Sequence, residues 1–502
     1  MNVILVQPAT SDRGFIHLGL GFIAASLEQR GHKVSILDLG IEGESSKKIR
    51  RIIQEAAPEV AGITALTPTY PTALRMAQLI REINPRCITV FGGTHPTILT
   101  EEVLNEPFVD IVVRGEGEIT MCEILDALKD GKGLSSISGI VYKENGKTVY
   151  NPDRPFIEDL DTLPPIPWHL FKVEKYTGNL NGRRAVGLSA ARGCPFSCVF
   201  CYRGPAAGKV VRYWSPERVV KEVKRVKEKY NITAFHFWND VFTYDKKWAI
   251  TLCDMIIKEK LDIEWDCQTR ADLINEEVLR KMKEAGCTAI MLGVESGSNE
   301  ILKHVNKKLT KEQIYDSFQL LHQVGFETTA TFTMGLPWDT KETIQETIDF
   351  AKAINPSFAM FYVATPFPGS PIWEICLQKG IPLSRDWENY RIIPFEIDLD
   401  KFAPVFDTSR LSVEDLKRFI KTAQIEFQVG RFKKGQRLRG LKNIYEIFAL
   451  IFRRSKSVTK LMQLIFRVLG DTLYLIRIKC RSAKVQKSNS AEEQKNKSAK
   501  EQ

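Results

Sequence analysis

Two long stretches of the chain alternate short apolar runs with amphipathic helical segments, and this rhythm restricts the fold more than any other feature of the sequence. In residues 1–130 the apolar runs are "NVILVQ", "KVSILDL", "EVAGIT", "CITVFGG" and "DIVVRG". Apolar runs separated by helices are typical of parallel strands that are covered on both faces. The first stretch therefore predicts an α/β domain with a Rossmann-like, doubly wound parallel sheet, in which ligands bind at the carboxyl ends of the strands.

A second series of strands and helices begins near residue 184. Its apolar runs are "AVGLSA", "ITAFHFW", "IEWDCQT", "TAIMLGV", "ETTATFTMG" and "SFAMFYVAT". Six such units are too few to close a barrel of eight strands, so we predict a partial (βα)6 barrel. Loops at the carboxyl ends of its strands are expected to carry the chemistry.

The sequence suggests five segments in all. A hairpin with an Asn145-Gly146 turn and the connector "DLDTLPPIPWHLF" separate the two series, and a helical extension with a polar tail follows them. The expected segments are a doubly wound sheet domain at 1–134, a hairpin and linker at 135–183, the barrel at 184–400, a helical region at 401–480 and a disordered tail at 481–502.

Positive charge is concentrated at the end of the chain. The net charge is +10, and residues Gly430 to Gln502 hold 19 Lys and Arg against 5 Asp and Glu. Amphipathic basic helices in 441–480 predict peripheral contact with an anionic membrane, although helices that only cap the barrel have the same pattern. A nucleic-acid-binding role is disfavoured, because basic and aromatic residues are not interleaved on a sheet.

Composition and the first residues favour the cytoplasm. Ten cysteines in 502 residues are too few for a disulfide scaffold, and apart from one cluster they show no pairing pattern. The start "MNVILVQPATSDRG" reads as a first strand instead of a signal peptide, and no apolar run is long enough to span a bilayer.

Three cysteines crowd into "ARGCPFSCVFCYR", directly after the first strand of the second series. Thiolates from one loop can hold three corners of a cubic iron–sulfur cluster, which leaves the fourth iron open to a substrate or cofactor. A structural zinc site would need a fourth Cys or His, and none lies nearby in sequence. Three incidental cysteines and a purely structural metal module are the alternatives.

The spacing of this segment resembles that of the radical S-adenosylmethionine (SAM) enzymes, whose signature is Cys-x3-Cys-x-aromatic-Cys. The resemblance implies a [4Fe-4S] cluster on Cys194, Cys198 and Cys201, with Phe200 as the aromatic residue. It also implies that the open iron binds the methionyl group of SAM. One electron then cleaves SAM to a 5′-deoxyadenosyl radical, which abstracts a hydrogen atom from the substrate.

The same resemblance implies SAM contacts at the ends of the later barrel strands. Each of these residues also has a simpler interpretation as a helix cap or a turn residue. The candidates, with Phe200, are Asn239, Asp240, Arg270, Glu295, Ser296, Met334 and Gly335.

A Rossmann-like sheet before such a barrel resembles the cobalamin-binding subgroup of these enzymes, and the resemblance implies that residues 1–134 form a cobalamin-binding domain. The expected cobalamin contacts are Gly92, Gly93, Thr94, Gly115 and Glu116, because glycines at strand ends allow the backbone to approach a large ligand. The Asp-x-His-x-x-Gly motif for cobalt ligation is absent, so neither His17 nor His95 is assigned to cobalt. A sheet domain that has lost its cofactor is the alternative.

The resemblance implies an oxygen-sensitive enzyme that modifies an unactivated carbon, with methyl transfer as the first expectation. Relatives that cyclise or oxidise their substrate, including an anaerobic porphyrin-ring cyclase, share the motifs. The expected partners are a small or lipid-like substrate and a one-electron donor such as a flavodoxin or ferredoxin. An RNA-modifying protein that uses the basic C-terminal segment is the alternative from another class.

Overall fold

The computed structural model describes residues 1–8, 14–43, 45–202, 207–390 and 410–433. The chain divides into two compact units, Met1–Ile420 and Lys421–Gln502. The predicted tail at 481–502, the predicted membrane segment at 441–480 and most of the predicted helical region at 401–480 lie outside the described residues.

The first sheet has seven strands in the order β2-β1-β3-β4-β5-β6-β7. Strands β1 to β5 are parallel, and the β6–β7 hairpin continues the sheet in antiparallel fashion. The strands are β1 (Asn2–Gln7), β2 (Lys33–Asp38), β3 (Val60–Thr64), β4 (Ile88–Gly92), β5 (Ile111–Val113), β6 (Ile140–Glu144) and β7 (Lys147–Tyr150). The predicted doubly wound sheet is confirmed, and its chain order reverses between β1 and β3, where ligands of such sheets bind.

Helices cover both faces of this sheet. They are α1 (Leu18–Gln29), α2 (Leu39–Glu42), α3 (Ser46–Ala56), α4 (Tyr70–Ile83), α5 (Thr94–Ile98), α6 (Thr100–Leu104) and α7 (Glu118–Asp130). In β1, Val3 and Leu5 pack in one core with α1 and α7, while Ile4 and Val6 pack in another with α3 and α4. Burial on both faces explains why β1 reads as an uninterrupted apolar run.

The second sheet has the order β16-β15-β14-β13-β12-β9-β8, and all neighbours are parallel except the short pair β8–β9. The strands are β8 (Asn179–Leu180), β9 (Arg183–Leu188), β12 (Ala234–Phe237), β13 (Glu264–Thr269), β14 (Cys287–Glu295), β15 (Glu327–Met334) and β16 (Phe358–Val363). Six parallel strands confirm the predicted partial barrel.

The remaining helices follow the barrel strands. They are α8 (Pro216–Tyr230), α9 (Lys246–Lys258), α10 (Glu276–Glu284), α11 (Asn299–His304), α12 (Lys311–Val324), α13 (Lys341–Ile354), α14 (Pro371–Gln378) and α15 (Val413–Lys433). Local sequence explains several of their starts. Ser215 accepts a hydrogen bond from the Arg218 amide at the start of α8, and Thr310 forms a capping box with Gln313 at the start of α12. In the described ranges, no helix has the length and apolar character needed to cross a membrane.

A two-stranded ladder lies between β9 and α8. Strands β10 (Ala191–Arg192) and β11 (Arg212–Tyr213) are antiparallel, with Arg192 opposite Arg212. The intervening segment contains all three clustered cysteines, so the ladder closes the base of the cysteine loop.

Candidate active site between the two sheets

The cysteine loop follows β9 at the carboxyl end of the barrel strands. Cys194, Cys198 and Cys201 are all partly exposed. Gly193 enters the loop at φ +95°, and a Cβ at this position would lie 2.1 Å from the Val210 carbonyl oxygen. Only glycine fits here without a shift of the backbone. Three thiols on one accessible loop suit a cubic cluster, since each would bind a different iron.

Two cations face the middle thiol of the loop. Arg270 places Nη1 3.9 Å from Cys198 Sγ and its guanidinium carbon 3.7 Å from the centre of the Phe196 ring. Burial raises the pKa of the Cys198 thiol, whereas the charges of Lys307 and Arg270 act in the opposite direction. A thiolate bound to iron is the form that these cations favour. Among the residues described, no three His, Cys, Asp or Glu side chains converge on a site for a single metal ion.

Three hydrogen bonds from the Arg270 guanidinium fix its position. Its Nε and Nη2 atoms donate to the two carboxylate oxygens of Asp272, at 2.9 and 3.1 Å, and Nη2 also donates to the Lys307 carbonyl at 2.7 Å. The residue predicted to contact SAM therefore reaches the cysteine loop directly.

Asn239 and Asp240 follow β12 at the same end of the barrel. Asn239 is 1% exposed, and its Oδ1 accepts the Ala190 amide at 2.9 Å. Its Nδ2 is buried and has no hydrogen-bond partner within the described part of the chain. A buried amide donor without a partner fits a site where a ligand supplies the acceptor. Asp240 is partly exposed and lines a cavity.

Glu295 closes β14 in a left-handed conformation, with φ +71°, beside an irregularity in the pairing with β15. Its carboxylate accepts hydrogen bonds from Lys307 Nζ at 2.9 Å and from the Thr333 hydroxyl at 3.1 Å. Backbone strain in a residue other than glycine often marks a functional position. At the next position, the buried hydroxyl of Ser296 lies 3.0 Å from the hydroxyl of Thr347 on α13.

Three further candidates lie mainly in packed surroundings. Met334 is fully buried, and Gly335 follows it at φ +83°, where a Cβ would lie 2.9 Å from Leu416 Cδ2. Phe200 is partly buried against the core that the first sheet shares with the barrel loops. The structure thus gives these three residues clear packing roles near the barrel mouth.

A cavity of about 370 Å³ lies between the carboxyl ends of the first sheet and the base of the cysteine loop. All five predicted cobalamin contacts line it, and from the barrel side it is lined by Ser189, Ala191, Arg192, Gly193, Ala207, Trp238 and Asp240. A Cβ on Gly92 or Gly115 would have no atom closer than 3.9 Å, because both glycines border the open cavity. A side chain at either position would therefore occupy part of the cavity. Bare backbone at these strand ends fits the approach of a broad ligand.

Trp238 forms part of the barrel side of this cavity and is 42% exposed. Its indole lies against β9, where a Cβ on Gly187 would be 2.3 Å from the indole nitrogen. The close packing depends on the glycine.

Neither His17 nor His95 is arranged as a cobalt ligand. Burial lowers the pKa of His17 to about 4, and its Nδ1 accepts the Leu20 amide at 3.1 Å. The neutral ring therefore carries its proton on Nε2, which leaves no lone pair for a metal. His95 is fully buried, with ring centres of Tyr70 and Trp387 at 4.3 and 5.2 Å. This geometry agrees with the sequence analysis, which assigns neither histidine to cobalt.

Glu116 lines the cavity, but its carboxylate already has protein partners. It accepts hydrogen bonds from Arg192, Arg212 and the Ile157 amide at 2.7–3.0 Å. These pairings, like those of Lys307 and Thr333, join residues far apart in the chain. Sequence reasoning missed all four partner side chains, and the one available signal was the position of Arg192 two residues before the first cysteine.

The structure combines a partial barrel, a three-cysteine loop and a second parallel sheet whose ligand-binding edge faces that loop. This combination defines a class of enzymes that use an iron–sulfur cluster beside a bound cofactor. Residues 188–351 match the Radical SAM superfamily, and residues 9–125 match the B12 binding domain. An uncharacterized methyltransferase of Pyrococcus horikoshii is 34% identical over 439 residues, which cover 87% of this chain and 92% of that protein. The chain belongs to the cobalamin-binding radical SAM enzymes, and its cofactors are a [4Fe-4S] cluster, SAM and cobalamin.

Two further similarities agree. An anaerobic magnesium-protoporphyrin IX monomethyl ester cyclase of Rubrivivax gelatinosus is 33% identical over 388 residues, covering 74% of this chain and 70% of the relative. The structure of the radical SAM methyltransferase TsrM from Kitasatospora setae, with cobalamin and a [4Fe-4S] cluster bound, aligns with a TM-score of 0.66 at 20% identity. It covers 75% of this chain and 78% of the other, and it shows the shared fold. Membership in this class implies a small-molecule substrate and a one-electron donor.

Proposed function

We propose that the protein transfers a methyl group to an unactivated carbon of a small molecule. The observation that carries the proposal is the cavity shared by the two sheets, because it brings the predicted cobalamin contacts to the base of the cysteine loop. When bound, the cluster and SAM supply a radical that removes a hydrogen atom from the substrate, and methylcobalamin supplies the methyl group.

The chain's own residues would hold these groups in place. Cys194, Cys198 and Cys201 are the proposed cluster ligands, and Gly92, Gly93, Thr94 and Gly115 form the proposed floor of the cobalamin site. Glu116 remains a proposed cobalamin contact at the rim of this site, and its carboxylate also pairs with Arg192 and Arg212.

The proposed SAM contacts fall into two groups. Asn239, Asp240, Arg270 and Glu295 have polar atoms at the barrel mouth, and the unpartnered Nδ2 of Asn239 is the clearest donor for SAM. Phe200, Ser296, Met334 and Gly335 would act through packing and loop shape.

The test is anaerobic reconstitution with iron, sulfide and cobalamin, followed by incubation with SAM that carries a deuterated methyl group. Extract from a strain that lacks the gene would supply the substrate. A product that carries the labelled methyl group supports the proposal. A product that gains a ring or loses hydrogen without the label would instead establish a cyclase or oxidase, the second candidate that the similarity to the porphyrin-ring cyclase favours.

Several finer assignments belong to the same proposal. We propose the segment boundaries 1–134, 135–183, 184–400, 401–480 and 481–502, a cytoplasmic location, and a flavodoxin or ferredoxin as the electron donor. A lipid-like substrate reached through peripheral membrane contact of residues 441–480 is supported by the basic, amphipathic sequence of that segment.

Liposome flotation tests the membrane assignment directly. Full-length protein is expected to float with vesicles that contain anionic lipid, whereas protein truncated before Leu441 is expected to remain at the bottom of the gradient. Equal flotation of the two proteins would contradict the assignment.

A further inference from the structure

Four charged side chains meet where the first sheet adjoins the cysteine loop. Arg192 donates to Glu116 at 2.9 Å and to Glu118 at 2.6 Å. Arg212 donates to both carboxylate oxygens of Glu116, at 3.0 and 2.9 Å, and to the Ile157 carbonyl at 2.6 Å. Arg192, Arg212, Glu116 and Glu118 are called the clamp below.

The clamp is almost closed to solvent. Its side chains are between 4% and 16% exposed, and the Arg192 guanidinium carbon also lies 5.2 Å from the centre of the Phe22 ring and 5.3 Å from that of Trp214. Burial by itself would raise the pKa of Glu116, but the hydrogen bonds and charges of the two arginines lower it. The carboxylate therefore stays ionised, and the network carries two positive and two negative charges.

The clamp joins residues that are adjacent to both proposed cofactor sites. Glu116 follows Gly115 on the cavity wall, and Arg192 precedes the first cysteine by two residues. Arg192 and Arg212 are also partners in the β10–β11 ladder, so both strands at the base of the cysteine loop are tied to one carboxylate in the loop that follows β5.

Buried ion networks are poor stabilisers when compared with apolar groups of the same volume, because removing four charges from water is costly. Their directional hydrogen bonds do, however, fix the relative position of the groups they join, and an arginine fork on a carboxylate is especially restrictive. At the junction of two cofactor sites, hydrogen bonds of this kind would fix the position of one site relative to the other.

We propose that the clamp is a positioning device that fixes the cysteine loop, and with it the cluster, relative to the cobalamin held by the first sheet. The inference rests on the cofactor set and on the cluster and cobalamin assignments proposed above. It does not require that the transferred group is methyl.

The test measures the separation of the two cofactors without turnover. Full-length protein is reconstituted anaerobically with iron, sulfide and hydroxocobalamin, and it is reduced until both the cluster and cob(II)alamin are paramagnetic. Electron paramagnetic resonance then gives the relaxation enhancement that the cluster imposes on the cobalt signal. This enhancement falls steeply with distance, so it detects a displacement of about 1 Å, which is the scale at which catalytic geometry fails.

Two conservative variants loosen the clamp. Glu118→Gln keeps the size of the side chain but removes the charge that pairs with Arg192, and Arg192→Lys keeps the charge but loses the fork that bridges Glu116 and Glu118. Both are expected to retain iron and cobalamin, to form 5′-deoxyadenosine from SAM, and to show an enhancement that is smaller than in the wild type or broadly distributed.

The matched control is Glu222→Gln. Glu222 is 16% exposed and also pairs with an arginine, Arg225, at 2.6 Å, but it lies on α8 against the linker and forms no part of the clamp. This variant is expected to give the wild-type enhancement.

Three results would overturn the proposal. An unchanged enhancement in both clamp variants would show that the network does not set the separation. Loss of cobalamin with iron retained in both variants would assign the clamp to cofactor binding. Loss of folding in both variants would show that the network stabilises the unit as a whole. If the enhancement falls as expected but no labelled methyl product forms in the earlier experiment, the clamp stands and the methyl-transfer proposal fails.

Discussion

The ammonium group of Lys307 lies 2.9 Å from Oε1 of Glu295, and both side chains are buried at the mouth of the barrel. A Cβ on the neighbouring Gly293 would lie 2.6 Å from the same carboxylate oxygen and 2.9 Å from the ammonium, so the chain leaves room for this pair. The left-handed end of β14 is thereby held by a charge from the loop that follows α11.

Replacing Lys307 by Met is expected to lower the free energy of unfolding by about 3–5 kcal/mol, since it leaves the buried Glu295 carboxylate without its cation. Urea denaturation measures the change. The control is Lys308→Met at the exposed neighbouring position, where less than about 0.5 kcal/mol is expected. Similar losses in the two variants would show that the buried ion pair has no special weight.

Arg270→Gln is expected to make the reduction potential of the cluster more negative, by an amount on the order of tens of millivolts. A cation beside the Cys198 sulfur stabilises the reduced, more negative state of the cluster, and the variant removes it. A redox titration followed by electron paramagnetic resonance measures the potential. Arg280→Gln removes the same charge from the exposed face of α10 and is the control; equal shifts in both variants would contradict a local effect.

Single replacements of Cys194, Cys198 or Cys201 by Ala are expected to abolish the formation of 5′-deoxyadenosine under reducing conditions and to lower the iron content. Each thiol would hold one of three irons, and no other ligand is expected to take its place. Cys253→Ala, which changes a fully buried cysteine on α9, is expected to keep the cluster. Turnover in any of the three loop variants would remove that cysteine from the ligand set.

The stability of the protein is expected to fall as the pH drops from about 6.5 toward 3, partly because of His95. Burial lowers the pKa of this side chain to about 3. The folded state therefore keeps the ring neutral while the unfolded chain takes up a proton, and stability that is complete above pH 6.5 is lost through this window at up to about 1.4 kcal/mol per pH unit. His95→Gln should show a shallower slope in urea unfolding between pH 5 and 6.5. Equal slopes would contradict the assignment.

The strands could be predicted because their burial on both faces produces apolar runs that are visible in the local sequence. Both parallel series were recognised from runs such as the one that forms β1, where each face of the sheet meets helices. The attachment of the β6–β7 hairpin to the first sheet was not predicted. Pairing of Ile111 with Tyr142 is a contact between distant segments, and nothing in the hairpin sequence names its partner strand.

The candidate site divides in the same way. The spacing of Cys194, Cys198 and Cys201 and the glycines at strand ends are local signals. The family resemblance predicts from them a cluster site and a cobalamin site. The carboxylate partners of Arg192 and Arg212 lie 74 to 96 residues away in the chain, so only the folded structure reveals them. Glu116 shows the difference, because its sequence context suggested a ligand contact and its three-dimensional surroundings supply two arginines.

Gly187 has no side chain, and this absence affects the width of the cavity because Trp238, which lines the cavity, packs against Gly187. The Trp238 indole can lie back against β9 only because no methyl group occupies that point. A single added carbon would push a bulky aromatic plate toward the first sheet and narrow the chamber. The width of the proposed cobalamin chamber is therefore adjustable from a residue that does not line it.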